Sequence, residues 1–507
     1  MHKLRTQIRQ CELLWANYRE AQLEHAGFIN GRFVAGEGAV FTVENPSDES
    51  VVAEIQGLSF AQVSDAIAAA RAAFDKGEWS GMTREVRAEI MRRYAAELAR
   101  HADRLTELAM LEAGCPVSSS VMVAQVATPL RHAAEIVDVY LALPEIEDNP
   151  LPMHERLGMM GHAMQSVRRY TPMGVVSAIA AYNVPLFTAL WKVIPALITG
   201  NTVVLRPNPL TPISSMIFAK AAIEAGLPAG VLNIVIEGGL EGGQLMSSDP
   251  RVDMVSFTGS CAVGARIAGQ AAPTLKQLVL ELGGKSAQIF LPDSIDKAPM
   301  HARIVCVSHA GQGCALGTRL LVPEESKAEV LAKAAELLAA IKVGPANDPA
   351  TDTGPVINAA AVARCERIVA DAVAAGGRIV FGGKRPAHLT KGHYFEPTLL
   401  DLPDNANPAA QEEVFGPVVA VIGYRDLDHA IAMANDSRFG LSGWVHGADK
   451  RTALQAGQAM RSGTVNVNNG VTSAWASMGG IKMSGQGRER GPEGLRAFQH
   501  LSVLNFS

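Results

Sequence analysis

Gly311-Gln312-Gly313-Cys314 sets a cysteine behind two glycines, whose bare backbone lets amide groups converge on whatever the sulfur attacks. Such a thiol is reachable and can be activated as a nucleophile. The competing account makes Cys314 a small apolar filler, one of six cysteines in the chain. Glu281-Leu282-Gly283-Gly284-Lys285 follows the apolar run Leu278-Val279-Leu280, where partial burial would raise a carboxyl toward the range of a general base. Taken alone, an ion pair or a helix-end carboxylate accounts for Glu281 equally well. Phe257-Thr258-Gly259-Ser260 closes another apolar run, with Gly264 just beyond. Gly259 and Gly264 let backbone approach a dinucleotide, and Ser260 can bond a phosphate at a helix N-terminus. That spacing departs from the three-glycine fingerprint, so an ordinary strand-to-helix turn stays open. Asn183 stands in an apolar stretch just before Pro185. Its amide can donate to an oxyanion or serve a turn.

These groups are far apart in the chain, so a fold must gather them. Helical patterns alternate with short runs rich in Val and Ile, which reads as α/β. Ala-rich helices are expected over 61–76 and 83–112. Buried strands are expected at 201–206, 231–236 and 252–257. After the Gly283-Gly284 pair the alternation resumes, with strands near 286–291, 316–322, 418–423 and 464–469. Two sheet domains should therefore meet near residue 283. Residues 151–170 and the tail from 494 fit neither sheet by spacing and suit strands that reach across to another subunit.

Bulk properties narrow the function. The chain has 507 residues, 48% hydrophobic and 19% charged, enough for a large core and two or more domains. Lys and Arg total 45 against 50 for Asp and Glu. With no long basic run, this balance excludes a nucleic-acid surface and points to small-molecule partners. The cysteines, at 11, 115, 261, 306, 314 and 365, lack metal-ligand or redox-pair spacing. Reduced thiols in a cytoplasm fit them best, with no metal. The first 27 residues mix Lys3, Arg5 and Arg9 with Glu12, Glu20 and Glu24, which reads as a surface helix and not an export signal. Asn183, Pro185, Lys192, Pro195 and Asn201 interrupt the apolar stretch Val175 to Leu205 too often for a membrane span.

In this order, Asn183, the Phe257–Ser260 turn, Glu281 with its Gly-Gly-Lys, and Gly311–Cys314 resemble the aldehyde dehydrogenase superfamily. The resemblance runs from about residue 28 to the end. It takes in Gly200-Asn201-Thr202-Val203-Val204-Leu205, Glu412-Glu413-Val414-Phe415-Gly416-Pro417, and Gly479-Gly480-Ile481-Lys482-Met483-Ser484-Gly485 with Gly487-Arg488-Glu489. It implies an N-terminal helical extension (1–27), a Rossmann-type dinucleotide-binding domain (28–150 and 171–282) and an α/β catalytic domain (283–484). A small β oligomerisation element (151–170 and 485–507) would build homodimers or homotetramers. The resemblance further implies Cys314 as nucleophile, Glu281 as base for a hydrolytic water, and Asn183 with the Cys314 amide as oxyanion donors. Lys192 would lie near the base. Glu413 and Phe415 would hold the nicotinamide ribose and ring, Ser260 would meet the pyrophosphate, and Gly259, Gly264 and Leu282 would line the cofactor. Aldehyde, NAD and water would give acid and NADH through a thioester on Cys314.

Departures from the family pattern carry information. Ala181-Tyr182 replaces the usual Pro-Trp ahead of Asn183, and Met478 replaces a common phenylalanine. Arg206 and Pro209 stand where a Lys and a Glu usually take the adenosine ribose. Loss of that carboxylate, with an arginine able to meet a 2′-phosphate bidentately, admits NADP beside the favoured NAD. Phe187, Trp191 and Trp475 would line an entrance for an aromatic, terpenoid or medium-chain aldehyde, or would simply be core. Ser308, in place of a frequent aromatic, widens that tunnel. No basic residue presents itself for a substrate carboxylate. A semialdehyde dehydrogenase, a coenzyme-A-acylating relative, which usually lacks the glutamate at 281, and a non-catalytic dinucleotide-binding protein are the rivals.

Overall fold

The structure is a computed structural model that describes residues 26–117, 119–156, 163–470 and 473–507. The helix expected over the first 27 residues falls outside these except for Ala26 and Gly27, and Gly27 opens a strand, Gly27–Ile29. Two parallel sheets dominate. In the first, the apolar runs Val175–Ile179, Thr202–Arg206, Leu232–Val235 and Met254–Thr258 are buried along their whole length. Strands covered on both faces need such unbroken runs. With Gln277–Glu281 they pair in parallel in the order 232–235, 202–206, 175–179, 254–258, 277–281. This is the doubly wound order of a Rossmann sheet, and its direction reverses between 175–179 and 254–258. Ligands bind such sheets beyond the carboxyl ends of the strands at that reversal, where Asn183 and Gly259 follow. Antiparallel strands close both edges: Gly27–Ile29 on one side and Gly485–Gln486 on the other.

Helices cover the faces. Phe60–Lys76 packs on four strands of that sheet, and its start is fixed by Ser59 and Gln62 in a reciprocal capping box. The single helix expected over 83–112 is two, Arg84–Arg100 and Ala102–Ala113. His101, at φ −97° and ψ 16°, leaves helical geometry between them. Pro185 opens the helix Pro185–Ile198, at a position where its missing N–H costs nothing.

The chain leaves the first sheet at Glu281 and enters the second at Ala287. The second sheet runs 378–381, 398–402, 418–424, 319–323, 287–290, 442–446, 464–467, all parallel except the first strand. One segment then stitches the sheets together. Ile481–Lys482 pairs with Phe439–Gly440, and Gly485–Gln486 pairs with Leu280 and Glu281. Between them the Ser484 hydroxyl donates to the Gly283 carbonyl at 2.7 Å.

A third, three-stranded antiparallel sheet joins Gln499–Phe506 to Gln165–Pro172 and to Ile146–Asp148. Its bounds differ from those expected for a separate element. It takes in Ile146–Asp148, residues 153–156 are a short helix, and Gly485–Gln486 belongs to the first sheet. The tail strand alone presents Leu501, Val503, Leu504 and Phe506, each more than 40% exposed. Among the described residues no helix is long and apolar enough to cross a membrane.

Candidate active site

The loop that bears Cys314 follows the helix Ala298–Val307, which ends at Ser308. Three consecutive residues then turn the chain in the left-handed region: His309 at φ 51°, Ala310 at 50° and Gly311 at 72°. For His and Ala that conformation costs on the order of 1–3 kcal/mol each, so the surroundings must hold them there. A Cβ on Gly311 would lie 2.0 Å from the Gly416 carbonyl oxygen, which leaves glycine as the residue that fits. Gln312 supplies the hold. Its side chain accepts from the Ile357 N–H at 2.9 Å and donates to the His309 carbonyl at 3.1 Å and the Pro355 carbonyl at 3.4 Å. The sequence reading passed over this residue, a polar spacer between two glycines.

Asn183 reaches the same loop from the first sheet. Its carbonyl is held by Gln125 Nε2 at 2.7 Å, and its Nδ2 donates to the Gln312 carbonyl at 2.8 Å. An amide nitrogen carries two N–H bonds, so a second donor remains on Asn183 at the loop two residues before Cys314. Gly284 closes in from the other side, and a Cβ there would sit 2.4 Å from the Cys314 carbonyl oxygen. Cys314 is half-buried. Burial pushes its thiol up to about 12, and the carboxyl groups of Glu413 and Glu281 push the same way.

Glu281 ends its strand with both carboxyl oxygens buried and without a hydrogen-bond partner. Burial, followed by the charge of Glu489, raises it to about 8, against the pull of Lys192, Arg488 and Arg490. Gly479 makes room for it, since a Cβ there would lie 2.8 Å from Glu281 Oε1. Lys192 is fully buried, and its Nζ pairs with Glu489 Oε1 at 2.5 Å and donates to Ser256 Oγ at 3.3 Å. The lysine thus serves Glu489 directly and Glu281 only through the field. Glu489 and Arg490 were not singled out as site residues. The run Gly487-Arg488-Glu489-Arg490 looks like solvated surface until the Gly485–Gln486 strand carries it beneath the first sheet.

The expected cofactor residues fall at the carboxyl ends of the first sheet and beside its exit. Ser260 caps the helix Cys261–Ala271, accepting from Val263 N–H at 3.4 Å. Beside it, Thr258 Oγ1 is buried and unpartnered. Gly264 faces Leu282, whose Cδ2 would lie 2.6 Å from an added Cβ. Gly264 therefore lets the helix pack closely on Leu282, just past the strand Gln277–Glu281. Glu413 Oε1 accepts from Gly284 N–H at 3.0 Å, and the Phe415 ring meets Tyr182 edge-on at 5.9 Å. An orphaned hydroxyl, a helix N-terminus and a carboxylate near the thiol are a donor set that fits a nicotinamide dinucleotide.

Arg206 corrects an expectation. It is not free for a 2′-phosphate, because Nε pairs with Glu237 Oε1 at 2.6 Å and Nη2 donates to the Gly239 carbonyl at 2.6 Å. Glu237 also accepts from the Gly242 and Gly243 N–H groups at 2.9 and 2.7 Å. A carboxylate from the next strand's end thus stands beside Arg206 although Pro209, half-buried in a turn, brings none. Phe187 and Trp191 pack together, ring centroids 5.9 Å apart. Trp475 is 51% exposed and makes no ring contact with them among the described residues, and Ser308 caps a helix end.

A profile of the aldehyde dehydrogenase family matches residues 33–504. The chain belongs to that family. It is 35% identical to geranial dehydrogenase of Castellaniella defragrans, over 93% of this chain and 96% of that one. It is 34% identical to betaine aldehyde dehydrogenase of Bacillus subtilis, over 93% and 95%. A mutant of aldehyde dehydrogenase C from Pseudomonas syringae, solved with NAD+ and octanal, superimposes with a TM-score of 0.89 at 34% identity over 96% and 97%. As in the rest of the family, the chemistry is aldehyde oxidation, and solved neighbours carry NAD+.

The Arg206–Glu237 pair generates a prediction. In Glu237→Gln the guanidinium is released, and NADP+ affinity relative to NAD+ should rise about tenfold, the scale of one charge-assisted hydrogen bond. Fluorescence titration of both nucleotides measures the ratio, and an unchanged ratio contradicts the assignment.

Proposed function

We propose that the chain oxidises an aldehyde to its carboxylic acid with NAD+, with Cys314 as nucleophile and Glu281 as the base of a hydrolytic second half. The observation that carries this reading is the meeting of Asn183 Nδ2 with the Gln312 carbonyl, which brings an amide with a second N–H to the loop bearing Cys314. Attack of sulfur on the aldehyde carbon moves charge onto the aldehyde oxygen. Asn183 and the Cys314 backbone amide receive it, each such donor being worth about 3–4 kcal/mol in the transition state. When bound, oxidised nicotinamide accepts the hydride released as the thiohemiacetal collapses and adds a positive charge that lowers the thiol's pKa. Glu281 then takes a proton from water, and the hydroxide displaces the thiolate from the thioester. Its unpartnered oxygens leave it free to hold that water. Lys192 and Glu489 neutralise each other, so neither competes for it.

Phe187 and Trp191 supply an apolar, aromatic wall for the substrate's carbon body. The geranial and octanal that appear with two relatives support that reading for this chain. The exposed apolar side chains of the tail strand support a homo-oligomer built through the three-stranded sheet. Five free cysteines among the described residues are consistent with a reducing cytoplasm.

Cys314→Ala should abolish NADH formation. Glu281→Gln should release about one NADH per subunit in a burst and then stall at the thioester, followed by stopped-flow absorbance. A need for coenzyme A in native turnover would instead favour the acylating rival. Because Glu281 acts as a base, the hydrolytic rate should rise as pH increases through about 8 and fall on the acid side, where the carboxyl is protonated. Light scattering should report a dimer or larger, reduced toward monomer by Leu501→Asp with Val503→Asp.

A further inference from the structure

Arg490 is 8% exposed, and its Nε is buried with no hydrogen-bond partner. No hydrogen bond or ion pair holds the other guanidinium nitrogens among the described residues. Its guanidinium carbon lies 5.8 Å from the Trp191 ring centre and 5.9 Å from that of Phe187. Other polar groups around this wall are equally unsatisfied. Among the described residues Trp191 Nε1 has no hydrogen-bond partner, and neither has either ring nitrogen of His132, which is 1% exposed, edge-on to Trp191 at 5.3 Å, with Glu135 Oε2 no nearer than 3.9 Å from its Nε2. Glu281 beyond it is the same. Buried polar atoms in folded proteins are nearly always bonded, so a cluster left open beside a nucleophile marks space for a ligand.

The charges do not settle among themselves. Glu489 is held by Lys192, and burial keeps Glu281 largely protonated near neutral pH, at about 8. Burial likewise drives His132 down to about 4, so it stays neutral. The Arg490 cation thus lies in the field of Glu489, Glu281 and Cys314 without a hydrogen-bonded counter-ion among the described residues, over the aromatic wall assigned to the substrate.

We propose that Arg490 binds the far end of the substrate, and that this substrate is an aldehyde carrying a carboxylate, its carbon body lying on Phe187 and Trp191. The inference rests on Cys314 being the nucleophile. A semialdehyde or aromatic aldehyde acid then becomes a dicarboxylate, with NAD+ reduced and water supplying the second acid oxygen. A cationic aldehyde is repelled. The sequence reading found no basic residue for this purpose because Arg490 sits in a charged run far from the other site residues.

The first arm compares kcat/KM for 4-carboxybenzaldehyde and 4-methylbenzaldehyde, close in shape and different in charge. The native enzyme should favour the carboxylate by about tenfold or more, and Arg490→Gln should cut that selectivity about a hundredfold, chiefly through KM, with Arg490→Lys restoring part of it. If Arg490 is only a counter-ion for Glu281 and Glu489, both aldehydes lose equally and the selectivity stays put, which overturns the proposal.

A second arm needs no turnover and decides the matter if neither aldehyde reacts. With NAD+ bound, Cys314 is alkylated by iodoacetate or iodoacetamide and its peptide quantified by mass spectrometry. The ratio of the two rates cancels the thiolate fraction. It should be about fivefold higher in the native enzyme than in Arg490→Gln, and an equal ratio sinks the anion site alone. Failure of both reagents to modify Cys314 removes the nucleophile, and the proposed function with it.

Discussion

Two acids share one dry cleft, and the rest of the site is arranged around that fact. Removing Cys314 and Glu281 from water disfavours the charged form of each, and each would repel the other's charge. Burial thus favours the protonated thiol and the protonated carboxyl in the free enzyme. Reactivity waits for a positive charge to enter. The same low dielectric that silences the pair strengthens every donor aimed at a developing oxyanion, so a single amide from Asn183 matters there far more than it would in water.

Keeping that cleft in shape takes constraint from several directions. Left-handed turns at His309 and Ala310 are costly, and the buried Gln312 side chain holds the loop that contains them. Gly284 and Gly479 let Cys314 and Glu281 be approached at distances no Cβ would tolerate. The 481–486 segment pins the exit of the first sheet to the second, and the chain just beyond it brings in Glu489 and Arg490. Lys192 and Glu489 cancel, and burial holds Glu281 largely neutral, which leaves Arg490 as the group whose charge is still available to a ligand.

Family membership and substrate are carried by different parts of the molecule. The doubly wound strand order belongs to the architecture, and Cys314, Asn183 and Glu281 are proposed as its chemical centre. The Arg206–Glu237 pair and the guanidinium of Arg490 are proposed to act at the cofactor and substrate ends. A fold hosts many specificities because such substitutions at the rim leave the catalytic centre in place.

Local pattern was enough to read seven of the parallel strands and the helix over 61–76, because fully buried strands must be unbroken apolar runs and helices must show their period. It also singled out Cys314, Glu281 and Asn183, whose residue types are unusual in their apolar settings. It misread the helix over 83–112, where one residue's dihedral angles break a continuous pattern. It also left Arg206 free, and the packing of Gly264 and the place of Arg490 unnoticed. Those three outcomes depend on Glu237, Leu282 and the Phe187–Trp191 wall, partners 31, 18 and about 300 positions away. Sequence alone determined which groups were able to react. Tertiary structure decided which charges remained unpaired, because pairing depends on distance in space and desolvation on the whole surrounding shell.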